Sequence, residues 1–400
     1  MNILYTTPVL HYPSIGGPHL RIENSIKALT KVSKIDIIYR ASHPCAGVKK
    51  TNIYFSKYTK KYTSLYYFSR HRFIRFFQKI FSLFFDKDTK HINFFLSYIK
   101  NNNIEIIWFG YGNISYHLMK KIKLEFPRVK IVCDTDSVWS RFVLRGIPYV
   151  NFMHAIIKRI IGKKKQKEEK NWVDFADVTT AVSDIDAKYY KKIVKNKSKI
   201  KIFSNVIDIF QYKKKISKLK NFKNPSILLS GSFGPNSPMN MAAKWVLDEI
   251  LPKLHKTFPR LHFYIVGNGS DKEFGHLKNP NITVTGTVTS VLPYLCYTDV
   301  ALVPLKFESG TRFKILEAGA CRIPIVSTTL GAEGIPVVNN KHILIANTSK
   351  NFTEAVLKII KEKNLGKKIS QNCCNLVKSN FTISNLATEA KNILKYLKNA

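Results

Sequence analysis

The chain has 400 residues, 45% of them hydrophobic, which suits two or three packed domains and excludes a disordered chain. Its 65 Lys+Arg against 26 Asp+Glu leave a formal net charge of +39. An anionic partner such as nucleic acid, an anionic membrane or a phosphorylated ligand answers that excess, and so does a background composition rich in Lys, Asn and Ile.

In chain order, short β-rich runs alternate with helical stretches, the pattern of parallel α/β units. Strands are expected at 2–7, 35–40, 105–110, 130–135, 177–182 and 199–205. A lysine-rich polar run, 210–225, ends in proline and reads as an exposed connector. A second series follows at 226–231, 261–267, 281–286, 299–305, 323–328 and 342–347. The expected fold is α/β, two doubly wound halves in tandem. The opening residues show no signal-peptide pattern and no run of about 18 uncharged apolar residues occurs, so a cytoplasmic location is expected. The six cysteines, Cys45, Cys133, Cys296, Cys321, Cys373 and Cys374, form no CxxC pair and no zinc-ligand spacing, so a reducing compartment and no metal are expected.

In such sheets ligands sit beyond the carboxyl ends of the strands. "SIGGPHLR" (14–21) follows the first strand, with Gly16-Gly17 and a helix expected to start near His19. "SGSFGPNSP" (230–238) and "VGNG" (266–269) follow two strands of the second half. "FESGTRFKILEAGA" (307–320) combines a glycine turn, Thr311 as the expected N-cap, and two cations, Arg312 and Lys314, at a helix N-terminus that ordinarily favours carboxylates. A bound phosphate would neutralise them, and Glu317 could accept hydroxyl hydrogen bonds; an i,i+3 pair between Lys314 and Glu317 is the plainer alternative. A further segment, 54–100, interleaves aromatics with Lys and Arg. Such a stretch can lie on an anionic membrane, stack on bases, or pack its aromatics on the sheet with lysines in water.

The run "VPLKFESGTRFKILEAGACRIPIVSTTLGAEGI" resembles the C-terminal signature of glycosyltransferase family 4, the retaining GT-B enzymes. The likeness extends through "LLSGSFGPNSPMNMAAKWV", "FYIVGNG" and "VTGTVTSVLPYLCYTDVALVPL", and more thinly to "GGPHLRIENSIKAL", "DTDSVWSRF" and "ADVTTAVSD". It implies two Rossmann-like domains facing across a crevice: an N-terminal acceptor-binding domain, 1–208; a linker, 209–225; a C-terminal nucleotide-sugar-binding domain, 226–385; and a helix, 386–400, packing back on the N-terminal domain. It also implies metal-independent, retaining transfer from a nucleotide-diphosphate sugar, the donor substrate, with no cofactor. The acceptor would be a glycan or a lipid-linked molecule in cell-surface polysaccharide or lipopolysaccharide assembly, at the cytoplasmic face of an anionic membrane, with no specific nucleic-acid partner.

By the same resemblance, Arg312 and Lys314 hold the diphosphate and Glu317 accepts ribose or sugar hydroxyls. Gly16 and Gly17 approach the diphosphate and sugar, Gly267 and Gly269 lie beside the nucleotide, and Asp134 or Asp136, with Asp136 the catalytic candidate, comes near the reacting sugar. The sequence departs from the family where the Glu-x7-Glu pair is absent, Glu308 and Glu317 being separated by eight residues. The usual Arg/Lys pair is also missing from "SGSFGPNSPMNMAAK", and an "NGVD" reads Asn205-Val206-Ile207-Asp208. A nucleic-acid-binding protein, a sugar-nucleotide epimerase and a non-catalytic binder of the same fold are the competing readings.

Overall fold

The computed structural model describes residues 1–81, 90–212 and 216–399. Two compact units divide them: Met1–Ser140 with Lys163–Asn205 and Ile383–Ala400, and Arg141–Gly162 with Val206–Thr382. The two runs read from the sequence are thus interleaved, because the stretch from Arg141 to Gly162 groups with the second unit and the C-terminal helix with the first.

The first unit holds a seven-stranded sheet: β1 (Ile3–Thr7), β2 (Ile35–Ala41), β3 (Tyr62–Tyr66), β4 (Ile106–Gly110), β5 (Lys130–Asp134), β6 (Val178–Ala181) and β7 (Ile200–Ile202). Their order is β3-β2-β1-β4-β5-β6-β7, every pair parallel, with Ile3 opposite Ile35 on one side and Ile106 on the other. The second unit holds β8 (Ser226–Ser230), β9 (His262–Val266), β10 (Ile282–Val284), β11 (Val300–Val303), β12 (Ile325–Ser327) and β13 (Leu344–Ile345), in the order β10-β9-β8-β11-β12-β13 and again all parallel. Strands covered by helices on both faces are buried along their whole length and mostly apolar, as β1, β4 and β9 are. Leu4, Ile38, Ile107, Phe109 and Ile131 fill one core; Ile227, Leu229, Ile265, Leu302 and Ile325 fill the other. In both sheets the chain reverses its winding between neighbouring strands, at β1/β4 and at β8/β11. The loops leaving those strands are where a doubly wound fold presents its ligand site.

All twelve expected strands are present, and β3 is an addition. It lies inside the basic aromatic segment, where "YTSLY" is half-buried at the sheet edge and so lacks a run of core residues. The rest of that segment divides. Phe95 and Ile99 of the Ile92–Asn101 helix are core, whereas Phe76 is 61% exposed; residues 82–89 lie outside the described residues. The polar run read as an exposed connector is exposed at 217–221, 223 and 224, and it is anchored on Tyr264: Phe222 stacks on Tyr264 with ring centroids 4.5 Å apart, and the Tyr264 hydroxyl accepts from the Lys223 amide at 2.7 Å. No helix among the described residues is long and apolar enough to cross a membrane.

Candidate active site

The loop after β11 ends in Ser309-Gly310-Thr311-Arg312 and enters the helix Phe313–Ala320. Gly310 has φ +78°, the left-handed turn for which glycine is the low-cost residue. The expected cap is displaced by one residue: Arg312, with extended backbone, is the N-cap, and it makes no side-chain cap bond. Its guanidinium turns back instead. It donates to the carbonyl of Ser309 at 2.8 Å, to that of Gly310, and to that of Leu330 at 3.5 Å. Arg312 is buried, and its planar fork ties the glycine turn to the loop after β12.

Lys314 behaves differently. It stands in the first helical turn, partly buried, and makes neither hydrogen bond nor ion pair among the described residues. The plain Lys314–Glu317 pair is therefore not formed. Burial lowers the Lys314 ammonium below the ordinary lysine value, Glu308 and Glu317 oppose that shift, and Arg312 adds to it. Glu317 accepts from the Tyr212 hydroxyl at 2.8 Å, so one carboxylate oxygen is already held. Burial raises its carboxyl above the ordinary range, with the Tyr212 bond and the Lys314 charge working against the rise.

A second cationic group shares this end of the unit. Arg145 grips Glu333 with both nitrogens, at 2.7 and 2.8 Å, and donates to the Glu308 carbonyl at 2.8 Å; Arg141 reaches Glu333 at 3.1 Å. Burial would raise the Glu333 carboxyl, but Arg145 first, then Arg141 and Arg312, bring it below its ordinary value. Glu333 lies in the quoted signature run as part of "GAEG" and Arg141 in "DTDSVWSRF", but Arg145 lies in none of the quoted runs, and both arginines come from a stretch that the linear reading assigns to the other domain.

The glycines after β8 and β9 have a structural reason of their own. Gly267 has φ +130°, and a Cβ there would sit 2.0 Å from the Gly231 carbonyl oxygen; at Gly269, φ +78°, it would sit 2.3 Å from that of Phe233. The two loops lie backbone on backbone, joined by Gly231 N–H to Val266 O at 2.9 Å and Phe233 N–H to Asn268 O at 2.7 Å. Gly267 and Gly269 are thus required by loop-to-loop approach whether or not a ligand is present.

In the first unit the helix Gly16–Thr30 starts at Gly16, three residues before His19. Gly16 has φ +75°, and a Cβ there would meet nothing within 4 Å, so its surroundings are open; Gly17 is the second residue of the helix. One turn on, buried Arg21 donates to Asp134, to Asn205 Oδ1 at 2.8 Å and to the Phe203 carbonyl at 3.2 Å. Asp134 also accepts from Thr180 at 2.7 Å. That leaves Asp134 as a buried structural anchor and Asp136 as the residue that is partly open. Asp136 accepts from Trp139 Nε1 at 3.1 Å, and the Tyr111 hydroxyl lies beside it. Burial raises its carboxyl, and Trp139, Arg21 and Tyr111 pull against the rise. The structure thus gathers Arg312, Lys314 and Glu317 on one loop and helix, Gly267 and Gly269 on another loop of the same unit, and Gly16, Gly17 and Asp136 in the first unit. Among the described residues no cluster of three or more His, Cys, Asp or Glu could hold a metal ion.

Residues 224–362 match the family model described as "Glycosyl transferases group 1". No curated protein matches the chain in sequence. In fold, the chain is similar to a sucrose-phosphate synthase from Thermosynechococcus elongatus, with a TM-score of 0.73 at 14% identity over 100% of both chains. It is similar also to Anabaena HepE in complex with UDP and glucose, at 0.71 and 13% over 99% of this chain and 100% of that one. The lipopolysaccharide outer core galactosyltransferase WaaB, in its apo form, matches at 0.61 and 14% over 99% of each chain. The β11 loop, its glycine turn and its cations all lie inside the span that matches the group 1 glycosyltransferase model, and that span is carried on a chain with the GT-B fold of two Rossmann-like domains.

Proposed function

We propose that this protein is a glycosyltransferase that moves a sugar from a nucleotide-diphosphate sugar to a glycan or lipid-linked acceptor, with retention at the anomeric carbon and without a metal. The setting proposed is cell-surface polysaccharide or lipopolysaccharide assembly at the inner face of a membrane. The observation that carries the donor is Lys314, a partly buried ammonium at a helix N-terminus with no hydrogen-bonded partner among the described residues. Burial acts against that charge, and an anion placed there would recover the loss. HepE was crystallised with UDP and with UDP-glucose, which supports a UDP-sugar as the first donor to test.

In the reaction the bond from the anomeric carbon to the diphosphate oxygen breaks, the acceptor oxygen bonds to that carbon on the same face, and the acceptor proton passes to the departing diphosphate oxygen. Negative charge builds on the departing diphosphate. Lys314 would meet it directly, while Arg312 adds its positive charge and holds the Ser309–Gly310 backbone that shapes the turn. The free oxygen of Glu317 would accept a ribose or sugar hydroxyl, its other oxygen being fixed by Tyr212. Gly267 and Gly269 form the loop assigned to the nucleotide. From the first unit, Gly16 and Gly17 are assigned to the sugar diphosphate and Asp136 to the reacting sugar.

Calorimetry with UDP and a thermal-shift screen of sugar nucleotides test the donor. A ligand at 100 times its dissociation constant stabilises by about 2.7 kcal/mol, well above the resolution of a melt. Absence of any nucleotide-diphosphate binding would sink the reading. Product configuration by NMR, and turnover in excess chelator, test retention and metal independence.

A further inference from the structure

The helix Phe152–Phe175 leaves an apolar face uncovered at its N-terminal end. Phe152 is 78% exposed, Met153 65% and Ile160 65%, with Ile156, Ile157 and Ile161 exposed as well. At about 100° per residue these six side chains share one contiguous half of the helix circumference. The opposite side is the packed one. A Cβ at Gly162 would lie 2.4 Å from Leu144, one at Gly146 would lie 2.7 Å from Lys158 Nζ, and Lys158 stands 5.7 Å from the centre of the Phe307 ring. The six apolar residues therefore face away from the helix's own packing partners.

Monomeric proteins seldom leave so many large apolar side chains together in water. Charge indicates what covers these. Arg159 borders the stripe, and Lys163, Lys164 and Lys167 continue the same face along the next turns, all exposed. An apolar band closed at one end by a basic collar fits the boundary between acyl chains and anionic headgroups, with the band among the chains and the collar on phosphate. We infer that residues 152–167 dock the protein on an anionic lipid surface, lying in the interface rather than crossing it. This helix lies outside the basic aromatic segment 54–100, and the sequence pattern did not single it out. This inference does not depend on the donor reading, since the stripe contains none of the residues assigned to the sugar nucleotide.

Co-sedimentation of the full chain with vesicles tests it, using phosphatidylglycerol mixed with phosphatidylethanolamine against pure phosphatidylcholine. The wild type should bind the anionic vesicles and only weakly the zwitterionic ones. Phe152→Gln, Ile157→Gln and Ile160→Gln combined should lower that binding about tenfold or more with an unchanged melting temperature and unchanged UDP affinity. Arg159→Gln, Lys163→Gln and Lys164→Gln should each lower it about fivefold at low salt and much less at high salt. Wild-type binding by the apolar triple variant would overturn the inference and leave only the diffuse charge of the chain. Equal binding to both vesicle types would overturn it too. So would a sedimentation-velocity dimer that the triple variant dissociates, because the stripe would then be covered by a second copy.

Discussion

Two buried arginines show how differently the two units use a positive charge. Arg21, in the first unit, has a buried carboxylate in contact, Asp134, with the Asn205 amide oxygen and the Phe203 carbonyl completing its fork. It ties together three chain segments far apart in sequence, and its charge is answered where it stands. Arg312, in the second unit, donates to the carbonyls of Ser309, Gly310 and Leu330, while the nearby Glu333 is gripped by Arg145 and reached by Arg141. Around it stand Arg141, Arg145 and Lys314, against the carboxylates of Glu308, Glu317 and Glu333. An ion pair closed on itself is a structural tie, whereas a group with more cations than carboxylates is where the proposed donor would place its diphosphate.

The largest expected effect breaks the first half of that contrast. Arg21→Ala leaves Asp134 buried without its counter-charge and should cost about 3–5 kcal/mol in urea unfolding. Replacing Asp134 by Asn as well should recover part of the loss. A single-variant cost below about 1 kcal/mol would mean that Arg21 is not the tie described.

Steric and electrostatic contributions to the second unit are separated by Gly267→Ala. Its Cβ would meet the Gly231 carbonyl oxygen at 2.0 Å with φ +130°. Overpacking and backbone strain together should cost about 2–4 kcal/mol of stability, and the nucleotide affinity should fall with it. Gly16→Ala, where the surroundings are open, should cost only the left-handed strain of about 1–2 kcal/mol.

Lys314→Ala should do the reverse of Gly267→Ala, leaving unfolding within about 0.5 kcal/mol of wild type while weakening UDP binding by about 1.5–3 kcal/mol in calorimetry. Equal affinity in the variant would put the anion elsewhere and dissolve the contrast between the two arginines.

The smallest effect is a pH dependence. The Glu317 carboxyl is raised in the folded protein above its ordinary 4.5, so its contribution favours the folded state below that value and is lost as pH rises through the raised one. Melting temperatures of wild type and Glu317→Gln should therefore diverge on going from acid to neutral pH, the wild type losing ground. Parallel curves would show that Glu317 is not buried enough to feel its surroundings.

Much of this was readable without a structure where the physics is local. Runs such as "SILLSG" and "DVALVPL" are apolar because a parallel strand is covered on both faces, and they became β8 and β11. Glycine followed by cations at the start of a helix marked the loop around Lys314, since the oddity lies within six residues. β3 went unread because an edge strand needs only half its surface apolar. The cap was misplaced by one residue, because the Arg312 side chain folds back on carbonyls instead of extending from the helix.

The sequence by itself determined the α/β class, the strand series and the candidate anion loop, all of which follow from periodicity and short-range spacing. Only the tertiary structure could decide which residues serve that loop. Tyr212 reaches Glu317 across 105 positions and Arg145 reaches Glu333 across 188. It also decided that Gly267 answers to the backbone of Gly231 and that the Phe152 face of its helix, rather than the other, stays in the open. Contacts of that kind depend on how sheets and helices pack, and packing leaves no mark on the residues between the partners.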